Sequence, residues 1–236
     1  MKHDFWHERW EKQEIGFHLS DTNPALTSHW HTIPVDLGER VLVPLCGKSV
    51  DILWLLREGY QVVGVELSEI ALDALAESIE ETFSLAVDKQ QVGNLILYRA
   101  AGILLICGDW FSLTSFDTGP IDAVYDRAAL VAMPEEMRAD YASQLLKVSE
   151  NAPQLLVTFE YDQNEMSGPP FAVDQAQVES FYADAMNIDL MADKDCLVDE
   201  PKFRERGLSA LREKVLRLTP QGLSLIHISE PTRLPG

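Results

Sequence analysis

Four short apolar runs constrain this chain more than anything else in it: RVLVP at 40–44, QVVGVE at 61–66, IDAVY at 121–125 and QLLVTF at 154–159. Each has the length of a single strand and little polar alternation. A strand reads this way when helices cover both faces of its sheet. Helical patterns lie between the runs: residues 50–58 follow the first, and after the second Ser68 is placed to cap a long amphipathic helix reaching about Ala86. Strands alternating with helices predict βαβ units and a largely parallel sheet.

The rest of the chain extends that order. Asp4 can cap a short helix carrying Trp6 and Trp10 one turn apart, and a second helix begins at Asn23 with Pro24 in its first position. Residues 95–107 hold two apolar segments around Ala101 and Gly102, which predicts a hairpin. Pro134 opens a helix whose Glu135 and Glu136 suit its dipole, and Asp174 caps another after the Gly168-Pro169-Pro170 turn. Segments near Ile188 and at 215–218 are expected to pair as closing strands. The reading is one doubly wound α/β domain over residues 1–222. Residues 223–233, LSLIHISEPTR, look like an in-frame translation of a sequencing-library adapter, so 223–236 are set aside as a non-native tail expected to lie undocked.

Composition narrows the function. Among 236 residues, 19 Lys plus Arg face 38 Asp plus Glu, a net charge of −19, while 46% hydrophobic residues are enough for a core. Such a surface repels phosphate chains, so nucleic acid is disfavoured as a partner, and cationic ligands are welcome. The three cysteines, Cys46, Cys107 and Cys196, form no CxxC pair and read as reduced thiols. No apolar run approaches the ~18 residues of a membrane span, and the charged start lacks a secretory leader. Cytoplasm is the expected location.

In open parallel sheets, ligands bind beyond the carboxyl ends of the strands. After the first strand comes Leu45-Cys46-Gly47-Lys48-Ser49. The second ends in Glu66, 19 residues beyond Gly47, close to the ~20-residue interval between a nucleotide loop and a ribose-binding acid. Glu66 is therefore either a ribose ligand or a capping carboxylate ahead of the Ser68 helix. One glycine stands where the dinucleotide fingerprint needs three, which argues against a pyrophosphate cradle and an NAD-dependent oxidoreductase. A nucleoside without a phosphate chain remains, and S-adenosylmethionine, with its sulfonium, fits an acidic cleft. Asp109 and Trp110 follow the hairpin as GDWF, where Asp109 either accepts from the adenine amino group or merely turns the chain. Arg127 follows the next strand, as a surface ion pair or as a cleft residue holding a carboxylate.

Together the pieces FWHERWEKQEIGFH, VLVPLCGKSVDILWL, GYQVVGVELSE, CGDWF, YDRAALVAMP, GPPF and EKVLRLTP resemble the thiopurine S-methyltransferase family, particularly its bacterial branch. The resemblance runs in order from about Phe5 to Thr219. It implies a class I methyltransferase fold with a mostly parallel seven-stranded sheet, helices on both faces, an N-terminal helical cap over residues 1–35, and S-adenosylmethionine as methyl donor. It places cofactor contacts at Trp10, Leu45, Glu66 and Arg127, with Asp109 and Trp110 on the adenine side and Phe17 facing substrate. A basic residue near the last strands is implied as well, and Lys202, Arg204 and Arg206 compete for that place. The residues 88–97 are slightly longer than the family pattern.

The implied reaction is in-line transfer of a methyl group to a small aromatic or heterocyclic thiol by a monomer. A selenium or tellurium acceptor is the alternative within the class, and a non-enzymatic acidic binding module the alternative outside it. Cys46 reads as a small buried thiol rather than a nucleophile. His3, His7, His29 and His31 lack the carboxylate or cysteine that would complete a metal set, so no metal is expected.

Overall fold

The computed structural model describes residues 8–12 and 20–222. Helical residues 8–11 are followed by α1 (Pro24–His29), β1 (Arg40–Val43), α2 (Asp51–Arg57), β2 (Gln61–Glu66), α3 (Glu69–Phe83), β3 (Asp88–Val92), β4 (Leu95–Ala100) and β5 (Ile103–Cys107). Then come α4 (Ser115–Thr118), β6 (Ala123–Arg127), α5 (Glu135–Val148), β7 (Gln154–Glu160), α6 (Gln175–Tyr182), β8 (Met186–Asp195), α7 (Pro201–Glu205) and β9 (Arg212–Pro220). One sheet takes all nine strands in the order β3-β4-β5-β2-β1-β6-β7-β9-β8. From β5 to β7 neighbouring strands pair in parallel, so their carboxyl ends form one rim. The strand order reverses between β1 and β6.

Alternate residues of the same strands feed opposite cores. Val41, Val43, Val62, Leu105, Tyr125 and Val157 pack with α1, α2 and α3. Leu42, Val63, Val65, Ile106, Val124 and Leu156 pack with α5 and α6 on the other face. Two covered faces are the reason these strands read as continuous apolar runs. Gly64 in β2 is fixed by the same packing: a Cβ there would stand 2.9 Å from Leu105 Cδ2 and 3.0 Å from Cys46 Sγ. A third, smaller core of Tyr161, Met166, Cys196, Phe203, Leu208 and Leu211 sits where β7, β8 and β9 approach the rim, and it supports α7.

Most expected elements are present, with their caps. The Asn23 side chain accepts from the Ala25 N–H, that of Ser68 from Ala71, and that of Asp174 from Gln177. The sheet is the main correction, with nine strands instead of seven. Seven strands match that expectation: the five parallel ones, with β9 and β8 paired antiparallel beyond β7 and β8 at the edge. The expected hairpin over 95–107 is present as β4–β5, and β3 pairs antiparallel with β4 beyond it, so that β3 and β4 are the two strands in excess of the implied seven. The residues of β3, DKQQV, are all exposed and carry no hydrophobic pattern to announce a strand. Pairing with β4 and a polar clamp hold it: Lys89 Nζ reaches Glu69 at 2.9 Å and Asp73 at 2.5 Å, and Tyr98 donates to Asp73 at 2.6 Å. The helix after β2 ends at Phe83 rather than Ala86, because Ser84 turns into the left-handed region at φ 54°. Asp4, Trp6 and the tail from 223 lie outside the described residues.

Candidate active site at the rim of the parallel strands

A cavity of about 690 Å³ opens over the rim, within the range of small-molecule sites. Trp10, Leu45, Glu66, Asp109, Trp110 and Arg127 all line it. The fold therefore brings together every expected site residue that is described, and Phe17 lies outside the described residues. Of the three competing basic residues, Lys202 and Arg206 line the cavity; Arg204 does not, and its guanidinium lies 3.4 Å from the Leu197 carbonyl.

One half of the cavity is built at β1, β2 and β5. Leu45 leaves β1 with φ 47°, a left-handed conformation costly for a branched side chain, and Gly47 follows with φ 53°. This turns the loop back so that the Gly47 N–H donates to Glu66 Oε2 at 2.9 Å. The Ser68 N–H donates to Glu66 Oε1, also at 2.9 Å. Glu66 is thus a capping carboxylate and a cavity residue at once. Those two bonds leave acceptor capacity on the carboxylate, part of it turned toward the Leu67 N–H. Burial pushes its carboxyl up from the usual range, and the N–H groups of Ser68, Gly47 and Leu67 pull it back toward the ionised form.

Asp109 does turn the chain, accepting from the Phe111 N–H and the Ser112 hydroxyl at 3.1 Å each, and it still reaches the cavity wall. Trp110 is buried at 3% exposure with its ring 5.7 Å from that of Tyr141, and its indole Nε1 has no hydrogen-bond partner among the described residues. Cys46 is a buried thiol. Burial and the neighbouring Glu66 push its pKa well up, so it is a poor nucleophile.

The other half is assembled at β6 to β9. Arg127 ends β6, and Ala128 after it has φ 64°. Sharp left-handed turns therefore follow both β1 and β6, the two strands flanking the point where strand order reverses. Beneath the second turn, fully buried Asp126 accepts from the Leu130 N–H at 3.2 Å and the Tyr141 hydroxyl at 2.8 Å. Burial raises its carboxyl to about 6. Lys194, Glu213, Lys202, Phe203 and Arg206 close this side. Lys202 pairs with Glu200 at 3.1 Å, and burial raises Glu213 while Arg127 and Lys194 oppose the shift.

Sequence reasoning missed Asp51, Asn23, Ala128 and Glu213, all of them at the site or shaping it. The first two read only as helix-start residues, the backbone twist at Ala128 leaves no mark in residue type, and Glu213 needs the β7–β9 pairing to reach the rim. Among the described residues, no cluster of His, Cys, Asp or Glu is arranged to hold a metal ion.

The chemistry of the rim fits an adenosyl donor. Spare acceptor positions on Glu66 suit vicinal hydroxyls, the unpartnered Trp110 indole and its apolar surroundings border a base-sized space, and Arg127 offers a cation for a carboxylate. A doubly wound sheet with this rim defines the class, a class I methyltransferase fold. Solved structures share it. A 1,6-didemethyltoxoflavin-N1-methyltransferase of Burkholderia thailandensis, bound to S-adenosylhomocysteine and its substrate, superposes with TM-score 0.60 at 15% identity, covering 92% of this chain and 87% of that one. The N-terminal domain of EvdMO1 with S-adenosylhomocysteine gives 0.59 at 14% identity, covering 94% and 98%.

Sequence narrows the class further. The thiopurine S-methyltransferase family profile matches residues 1–221, and the chain belongs to that family. The Thiopurine S-methyltransferase of Pseudomonas fluorescens is 43% identical over 218 residues, 92% of this chain and 99% of that protein. That of Teredinibacter turnerae is 52% identical over 182 residues, 77% of this chain and 83% of that protein.

Proposed function

We propose that the cavity binds S-adenosylmethionine along the β1–β2–β5 rim, with its carboxylate reaching across to Arg127 at the end of β6, and that the protein methylates the sulfur of small aromatic or heterocyclic thiols held on the rest of the β6–β9 side. The observation that carries this reading is Glu66, buried, oriented by two backbone N–H groups, and sharing one cavity with Trp10, Trp110 and Arg127.

When bound, the donor would supply a methyl group on a positive sulfonium: the new sulfur–methyl bond would form in line as the methyl–sulfonium bond breaks, and S-adenosylhomocysteine would leave. What the chain does is bind and orient. Glu66 takes the ribose hydroxyls on its remaining lone pairs, and Asp109 and Trp110 border the adenine. Arg127 holds the amino-acid carboxylate. Leu45 and Trp10 provide apolar walls, and Phe17 is assigned to the acceptor side by family resemblance. Fixing the reacting atoms in approach geometry is worth many orders of magnitude in rate, and a heterocyclic thiol ionises without a dedicated base. Lys202 and Arg206 place positive charge on the acceptor side, where an anionic sulfur would be steadied.

The expected setting is the cytoplasm and the expected form a monomer. In support, the three cysteines are free and buried, and no helix among the described residues is long and apolar enough to cross a membrane. Sedimentation velocity checks the second point. Turnover of a heterocyclic thiol compared with that of a selenium donor, at matched enzyme and S-adenosylmethionine, tests the substrate. Efficient S-methylation supports the proposal, and turnover confined to the selenium donor would redirect it.

A further inference from the structure

Asp51 has no role in the scheme above, yet it is a cavity-lining carboxylate at 1% exposure. It stands in the first turn of α2, where the helix dipole favours an anion. Its two oxygens reach two distant parts of the chain. Oδ1 accepts from the backbone N–H of Asn23 at 2.7 Å, and Oδ2 accepts from the Tyr125 hydroxyl at 3.1 Å. Its own N–H donates to Ser49 Oγ at 3.2 Å, in the loop that leaves β1.

Both partners matter to the site. Asn23 caps α1, and residues 20–24 line the cavity. Tyr125 lies two residues before Arg127, on the same face of β6, and its ring carries the edge of Trp30 at 6.2 Å from beyond the far end of α1. The chain entering α1 is therefore gripped at its first residue by Asp51 and at its far end by Trp30 against the ring whose hydroxyl Asp51 holds. Hydrogen bonds to a buried carboxylate are among the stronger ones a protein makes.

We propose that Asp51 is a positioning residue, a latch that joins residues 20–24 to β6 at the cavity floor and thereby holds that stretch of cavity wall in place for the donor. The inference rests on the donor site proposed above. Asp51 acts through the segment and makes no contact with the donor itself.

The test is a double-mutant cycle on the full chain with S-adenosylhomocysteine affinity as readout, using Asp51→Asn, Tyr125→Phe and the pair. Asp51→Asn sets an amide N–H against one of the two donors and should weaken binding about tenfold. Tyr125→Phe removes one latch bond, keeps the ring, and should weaken binding by a smaller factor in the same direction. In the Tyr125→Phe background Asp51→Asn should cost clearly less than it does alone, because one of the bonds through which it acts is gone. A second readout is hydrogen exchange at Asn23 and along α1 without ligand, which should accelerate in Asp51→Asn under conditions far from unfolding. Wild-type affinity in Asp51→Asn, or effects that multiply in the double variant, would overturn the latch. If the unaltered protein bound no S-adenosylhomocysteine, the donor-site reading would fall, and unchanged exchange would then refute the latch separately.

Discussion

The β1–β2–β5 side of the cavity takes its ligand-type groups from short stretches of chain that strand pairing sets side by side. Gly47 and Ser68 lie 19 and 2 residues from the Glu66 carboxylate they hold. Apart from Arg127, which reaches toward the donor, the β6–β9 side gathers Lys194, Lys202, Arg206 and Glu213 from segments far apart in sequence, supported by a separate small core. The first side is fixed by backbone donors that any residue would supply, the second by side chains that compete for one another. A half held by backbone suits the invariant part of a substrate pair, the donor. A half held by side chains can be retuned residue by residue, which suits the acceptor.

The largest effect should come from the first half. Glu66→Gln replaces an acceptor-only carboxylate with a group that must aim one N–H at a backbone N–H or at a hydroxyl, and S-adenosylhomocysteine affinity should fall about a hundredfold in calorimetric titration. Affinity within about twofold of wild type would erase the contrast between the halves.

Next in size is Gly64→Ala, beneath the same half. The new methyl would crowd Leu105, Cys46 and Ile52, and the chain should lose about 1 to 3 kcal/mol in denaturant melts. An unchanged melt would show that this half is less tightly packed than its geometry states.

The floor of the second half titrates. Asp126 is raised to about 6 by burial, above the ~4 of an unfolded aspartate. The folded state therefore holds this proton more tightly, and the group favours folding fully below about pH 4 and loses that contribution as pH rises through 6. Relative to Asp126→Asn, the wild type should gain about 1 kcal/mol on acidification from pH 7 to 5. Parallel stability profiles for the two proteins would contradict the assignment.

Smallest are Lys202→Ala and Arg206→Ala. Each side chain already has protein neighbours, so the thiol KM should rise by no more than about fivefold while S-adenosylhomocysteine affinity stays put. A change in donor affinity instead would break the division of labour.

The same contrast governs what could be read from sequence. The four apolar runs announce their strands because both sheet faces are covered, and the groups at or within two residues of the ends of three of them, Leu45, Glu66 and Arg127, are legible from position alone. The β3 strand is not, since DKQQV has no buried face and owes its conformation to β4 and to the Lys89 clamp. Choosing Lys202 and Arg206 over Arg204 needed the facing of α7, a helix of five residues too short to show a period. Asp51 looks like any acid in a first helical turn. Its partners Asn23 and Tyr125 lie 28 and 74 residues away, and only the fold joins them.

A crystal structure of the protein with S-adenosylhomocysteine and a thiopurine tests the central claim most directly. Both ribose hydroxyls should lie on Glu66, the amino-acid carboxylate at Arg127, and the thiopurine sulfur should face the thioether from the β6–β9 side. A nucleoside bound away from Glu66, or a thiopurine seated outside this cavity, would contradict it.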